Sequence, residues 1–156
     1  MMKPYITAKQ DLLMKPLIEF FCKKKHITEL LSILEDKGKI SLRIIDWFVT
    51  NYSKKRNITY PLTIKRPNGS DIKKQFMVYL DYKSQLKGYS KKHFDPFCRR
   101  NRIYFYYTKE ESIITTVGQL NFFRWAIQNN VLEYIKKHLE IIEADMNSCI
   151  KHIYCK

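Results

Sequence analysis

The residues best suited to chemistry lie in the middle of the chain, and the chemistry they suit is the capture of phosphate. Lys54, Lys55, Arg56, Lys65, Arg66, Lys73, Lys74, Lys87, Lys91, Lys92, Arg99, Arg100 and Arg102 follow one another with few acids between them. Residues 51–109 hold 15 basic and 3 acidic side chains, a balance of +12, against +3 for residues 1–50 and −1 for residues 110–156. Cations concentrated in this way bind a polyanion through Coulomb attraction and release of its counterions, with little regard to sequence. Tyr104 and Tyr106, close to Arg99, Arg100 and Arg102, add flat rings on which the bases of a single strand could stack. The blander account is a solvated, lysine-rich face whose aromatic residues belong to the core.

Two smaller constellations compete with this one. Cys149, His152 and Cys155 stand at i, i+3 and i+6, three soft ligands that His93 or Cys98 could complete into a tetrahedral zinc site. On a straight helix the first and last lie about 240° apart around the axis, so they converge only where the helix frays or ends. Small buried cysteines and a surface histidine are the simpler expectation, and no metal is assigned. Cys98, flanked by Arg99 and Arg100 and five residues after His93, sits where positive charge would favour a thiolate. No acid or amide that would orient the histidine can be picked out, which leaves it a structural cysteine.

Recognised catalytic signatures are absent. There is no GxxxxGK[ST], GxGxxG, HExxH or GxSxG, and 4 glycines are too few to build a phosphate-cradling loop. Asp46, Asp71, Asp81 and Asp95 are the acids near the basic region, expected to pair with lysine and arginine rather than to assemble a metal-dependent nuclease centre. The sequence therefore predicts a protein that is not an enzyme and takes no cofactor.

The elements that must position the cations follow from periodicity. Pro16 can open a first helix running to about Lys24, since its missing N–H is not needed in a first turn. Ile27, Leu30, Leu31 and Leu34 make a second helix that Gly38 is placed to end in a left-handed conformation. Ser41 is the expected N-cap of a third, whose stripe is Leu42, Ile45, Val49 and Tyr52. After Asn57 the period changes to that of strands. Asn68-Gly69 marks a tight turn in a hairpin over 58–81, with Phe76, Val78 and Leu80 on one face of its second strand. Arg102–Thr108 alternates in the same way and predicts a third strand, and the stretch between them reads as one short helix and a loop anchored by Phe94 and Phe97. Thr116 and Gln119 then form a capping box for a helix over 119–128, and Asn130 and Glu133 repeat that logic for the next. Trp47 and Trp125 fall on helical stripes and read as core or interface residues.

The expected fold is α+β: N-terminal helices, a small antiparallel sheet of about three strands, and C-terminal helices. The 156 residues, 45% of them apolar, make one domain of 1–156 in which 1–40 could be a peripheral helical extension. No apolar run approaches the length of a membrane span and the opening residues lack a signal-peptide core, so an intracellular protein away from membranes is expected. The cysteines, 4 and scattered, are expected to stay reduced.

The phrases SLRIIDWFVTNYSKK (41–55), YSKKHFDPFCRRNRIYFYY (89–107) and TTVGQLNFFRWAIQNNVLEYI (115–135) resemble a family of small basic proteins of the nucleocytoplasmic large DNA viruses, the giant viruses. The resemblance covers roughly residues 40–145 and implies no particular catalytic or binding residue. It implies a setting: a large DNA genome to condense, transcribe or package, in the host cytoplasm, a virus factory or a virion. Two functions are carried forward. The first is a non-enzymatic nucleic-acid-binding protein, with DNA preferred to RNA as partner, which requires Arg99, Arg100 and Arg102 on an exposed basic surface. The second is a protein-interaction module with a basic face for an acidic viral or host protein, which requires an exposed apolar patch around Phe122, Trp125 and Tyr134.

Overall fold

Ile27, Leu30 and Ile33 recur every third residue and are buried, so Lys24–Leu34 coils into a helix with one apolar side, α2. The computed structural model describes residues 8–154 of the chain. Ahead of α2 stands α1 (Ala8–Phe21), which buries Met14, Leu17 and Phe21 and packs on a later helix, Val117–Gln128. Pro16 lies inside α1 rather than at its start, which forfeits the bond its missing N–H would have made to the Leu12 carbonyl. The end of α2 also departs from expectation, because the left-handed residue is Asp36 (φ 55°) and not Gly38. The amides of Asp36 and Lys37 close onto the carbonyls of Ile33 and Ser32 at 3.2 and 3.0 Å, the paired hydrogen bonds of a Schellman end. Aspartate is among the few residues whose short polar side chain makes this region accessible.

Ser41 begins α3 (Leu42–Trp47) as the sequence predicts, its Oγ accepting from the Ile44 amide at 3.2 Å. The helix then widens into a π turn at Phe48–Tyr52 and closes with α4 (Ser53–Lys55). Inside this stretch Thr50 and Ser53 donate their hydroxyls to the carbonyls of Asp46 and Val49, at 2.6 and 3.0 Å, a side-chain competition that loosens helices. Ile44, Ile45, Phe48, Val49 and Tyr52 are all buried.

The strands form two separate antiparallel hairpins rather than one three-stranded meander. In the first, β1 (Thr59–Ile64) pairs with β2 (Ile72–Met77), Tyr60 opposite Phe76 and Ile64 opposite Ile72. Its turn is centred one residue earlier than Asn68-Gly69. The Gly69 amide donates to the Arg66 carbonyl at 3.0 Å, Pro67 and Asn68 occupy the central positions, and only Gly69 has positive φ, 82°. Proline supplies the φ that the first central position wants, and glycine accepts the left-handed conformation that follows. The Asn68 carboxamide oxygen accepts from the amide and hydroxyl of Ser70 at 3.2 and 2.7 Å and stiffens the tip.

The second strand is shorter than expected, because the chain becomes helical at Val78 and runs as α5 (Val78–Tyr89). Val78 and Tyr82, four apart, are buried, whereas Leu80, expected to share a strand face with Phe76 and Val78, is 58% exposed. The third expected strand exists as β3 (Ile103–Tyr106), but its partner is β4 (Ser112–Thr115), a strand the periodicity does not reveal.

Three helices complete the chain: α6 (Val117–Gln128), α7 (Val131–Lys137) and α8 (Leu139–Tyr154). Nine of the 12 residues of α6 are buried, so this helix is enclosed on nearly every side and forms the axis of the core. Asn130 does not cap α7; it takes a left-handed φ of 55° and turns the chain between α6 and α7. One cluster of buried side chains joins Leu17 and Leu30 of the first two helices to Phe48, Phe94, Phe122, Trp125 and Ile142. The fold is α+β, with helices toward both ends and paired strands between them.

Candidate nucleic-acid interface

Four of the sequence-predicted cations meet at one place because the loop after α5 is strapped to the first turn of α6. The loop leaves α5 through Ser90, at φ 68°, makes a single 3₁₀ turn at Lys91–His93, and drives Phe94 into the core. Phe94 stacks on Tyr89 with ring centres 5.8 Å apart and meets Phe122 and Trp125 at 5.3 and 5.6 Å. Two buried amides of α6 then bind the loop backbone: Gln119 donates to the Pro96 carbonyl at 2.8 Å and Asn121 to the His93 carbonyl at 3.0 Å. The Asp95 amide donates to the Gly118 carbonyl at 3.2 Å, and a Cβ on Gly118 would lie 3.0 Å from the Lys92 carbonyl. Glycine is what lets the two backbones come this close.

The capping box predicted at Thr116 is thus half realised. Thr116 Oγ1 accepts from the Gln119 amide at 2.9 Å, but the Gln119 side chain serves the loop and accepts from Thr115 Oγ1 at 2.7 Å. A buried loop carbonyl without a donor would cost about 1–3 kcal/mol, more than an exposed cap returns. Gln119 and Asn121 were not singled out from sequence as supports of a site. Their signal is the pair of amides on either side of Leu120 in a largely apolar helix, since polar groups in an enclosed helix exist to satisfy buried partners.

Lys91, Lys92, Arg99 and Arg100, all exposed, line a cleft of ≈ 290 Å³ together with Asp95, Phe97 and Thr116. Asp95 orders the far wall, accepting from the Phe97 amide at 3.1 Å and pairing with Arg99 Nε at 3.1 Å. The Arg99 guanidinium also lies 4.9 Å from the centre of the Phe97 ring, so it is held from two sides. Lys91, Lys92 and Arg100 make no ion pair among the described residues. Acids lie deeper than these cations. Burial, and then the charge of Asp95, push the half-buried Asp46 carboxyl above its ordinary range, with Arg99 and Lys91 opposing. Burial, followed by the charges of Asp46 and Asp95, pushes the Tyr82 hydroxyl up to about 12. Of the acids expected to pair with cations, Asp95 does so, whereas Asp81 accepts from the Trp125 indole at 2.6 Å.

The hairpin cations occupy a different setting. Lys65, Arg66, Lys73 and Lys74 belong to a run, residues 63–75, in which every side chain is exposed. This arm and the cleft stand at opposite ends of α5, whose 12 residues separate them by about 18 Å. Between them α5 presents Leu80, Lys83, Ser84 and Lys87 to solvent, an exposed stripe at helical spacing.

The remaining predicted residues scatter. Lys55 is drawn to α8, where Asp145 takes its ammonium at 2.6 Å and accepts from the Trp47 indole at 3.0 Å. Burial alone would raise the Asp145 carboxyl, but these two hydrogen bonds and the charges of Lys55 and Arg56 hold it below its ordinary value. Lys54 lies over the Tyr79 ring at 5.5 Å and Arg56 over Tyr52 at 5.9 Å. Arg102 is exposed and donates to the Cys98 carbonyl at 3.4 Å. Tyr104 is exposed opposite Ile114, while Tyr106 is half-buried opposite Ser112.

Of the candidate zinc ligands, Cys155 and the His152 side chain lie outside the described residues, and Cys149 Sγ accepts from Lys55 at 3.7 Å. Among the described residues no three of His, Cys, Asp and Glu are grouped to hold a metal, and Cys22, Cys98 and Cys149 are free thiols. No helix among them is long and apolar enough to cross a membrane. The apolar patch required of a protein-interaction module is not at the surface, since Phe122 and Trp125 are buried and Tyr134 is half-buried.

Comparison with known proteins agrees with the viral resemblance. The model of a family of unknown function, DUF7197, matches residues 2–153. "Uncharacterized protein L507" of Acanthamoeba polyphaga mimivirus is 44% identical over 132 residues, which cover 81% of this chain and 49% of that protein. The chain therefore spans about half the length of this curated relative. No solved structure matches it. With a family model over nearly its whole length and a close giant-virus relative, the chain belongs to the family of unknown function DUF7197.

Proposed function

We propose that this protein binds nucleic acid without catalysing a reaction, and that it does so through phosphate contacts made by the 90–102 loop and the β1–β2 arm. The observation that carries the reading is the convergence of Lys91, Lys92, Arg99 and Arg100 on one cleft whose backbone is fixed to α6 by Gln119 and Asn121. Cations on a fixed backbone lose less freedom when they close on a phosphate than the same cations on a mobile loop. Three of the four are not neutralised by an acid among the described residues, so their charge is available to a polyanion. DNA is the preferred polymer, in keeping with a relative from a large DNA virus, and the setting is an infected cell or a virion.

Fluorescence anisotropy across a salt series, on matched double-stranded DNA, single-stranded DNA and RNA, tests the proposal. Affinity should fall steeply with salt, and Arg99→Glu with Arg100→Glu should lower the log–log slope by about one unit for each phosphate contact removed. An unchanged slope would take the cleft out of the interface. Weak binding of all three polymers at physiological salt would overturn the function and leave an acidic protein as the partner to seek.

A further inference from the structure

The β1–β2 arm is more than a carrier of charge. Ile64 and Ile72 are cross-strand partners at its outer end and are 46% and 37% exposed, an apolar pair left open to solvent beside the turn. By the alternation of the register they share a face with Leu62 and Lys74, while Thr63 and Lys73 point from the other face. Lys65, Arg66, Lys73 and Lys74 flank the pair along the two strands, with Asp71 the lone acid of residues 63–75. The Arg66–Gly69 turn bond and the Asn68–Ser70 bonds fix the tip, so its shape is set before any partner arrives.

We infer that this arm enters the major groove of double-stranded DNA, where the Ile64–Ile72 pair meets the 5-methyl groups of thymine and the four cations reach the flanking phosphates. The inference rests on the nucleic-acid reading above and specifies its polymer and groove. Charge chooses the partner: an apolar pair flanked by cations along both strands is complementary to a surface that is apolar at its floor and anionic at its rims. Dimensions choose the groove. Two strands about 4.8 Å apart, with their side chains, make a ribbon about 10 Å across, which a major groove about 12 Å wide admits and a minor groove about 6 Å wide does not. Thymine methyls are the apolar groups that the major groove displays.

The test compares duplexes of one AT-rich sequence carrying thymine or uracil, which differ only in the 5-methyl group. The wild-type protein should bind the thymine duplex more tightly, by about fourfold for each methyl buried. Ile64→Ser with Ile72→Ser should bind the two duplexes alike, at an unchanged melting temperature, since neither side chain is in the core. Arg99→Glu with Arg100→Glu should weaken both complexes yet keep the thymine preference. Equal wild-type affinity for the two duplexes would overturn the groove assignment while leaving phosphate binding intact. Tighter binding to phosphatidylserine vesicles than to either duplex, lost in the isoleucine variant, would overturn it in favour of a membrane surface. Failure of the wild-type protein to bind any duplex would remove the groove assignment, and failure to bind single-stranded DNA and RNA as well would remove the function on which it rests.

Discussion

The cleft and the arm carry four cations each, Lys91, Lys92, Arg99 and Arg100 in one and Lys65, Arg66, Lys73 and Lys74 in the other, yet they are built in opposite ways. The cleft is tied down by Phe94 in the core, by Gln119 and Asn121 on backbone carbonyls, and by an Asp95–Arg99 pair. In the arm every residue from Thr63 to Gln75 is exposed, and the order seen there among the described residues comes from its own ladder and turn. Equal charge therefore comes with unequal organisation. A fixed cluster suits one phosphate at a defined place and a projecting ribbon suits a groove it can follow, so under the proposed function the cleft would anchor and the arm would reach.

The largest effect that separates the two regions should come from Phe94→Ala. This ring is 1% exposed and packed against Tyr89, Phe122 and Trp125, so its truncation should cost about 3–5 kcal/mol in denaturant unfolding and weaken binding through the loop. Exposed substitutions in the arm should stay within about 0.5 kcal/mol of wild type by the same measurement. A stability loss from the arm equal to that from Phe94 would show that the arm is part of the core after all.

A smaller and more specific effect is expected of Gln119→Leu. It keeps the volume but strips a donor from the Pro96 carbonyl and an acceptor from Thr115, at a cost of about 1–3 kcal/mol. Amide hydrogen exchange should then rise over residues 93–97 and stay unchanged over 63–75. Uniform exchange across both regions would mean that the loop does not depend on the α6 amides.

These supports explain what the sequence did and did not disclose. Local signals were legible: the apolar spacing of α2, the Ser41 cap, the first hairpin and the helical stripe of α6 each depend on residues within a few positions of one another. What escaped depended on distant partners. Val78 reads equally as strand or helix until Trp125 and Phe94 gather around Tyr82 and make the four-residue spacing the one that buries side chains. Ser112–Thr115 is too short to announce itself as a strand without β3 beside it. Gln119 reads as a capping residue because the carbonyl it serves lies 23 positions away at Pro96. The cations of the cleft were visible as a list, but Lys55, identical in type, went to Asp145 on α8, and only the fold separates the two cases.

The smallest effect concerns the alkaline limit of the fold beneath the cleft. Tyr82 ionises near 10.0 when exposed in the unfolded chain, and in the fold burial and the Asp46 and Asp95 charges push it up to about 12. The neutral form is the one the fold prefers, so this contribution is complete below pH 10 and is lost as pH rises through about 12. Melting temperature should decline across that window, and Tyr82→Phe should flatten part of the decline. An identical decline in the variant would place the sensitivity elsewhere, Tyr60 being the next candidate because burial also raises its hydroxyl.

The most direct test of a two-point polyanion surface is to crosslink the protein to a duplex carrying 5-bromouracil and to map the modified peptides by mass spectrometry. Crosslinks should fall within residues 63–75 and 90–102 and should vanish in a high-salt control. Crosslinks confined to the Ile141 side of α8, or spread evenly over the lysines of the whole chain, would contradict the account and return the central charge to the role of a solvated face.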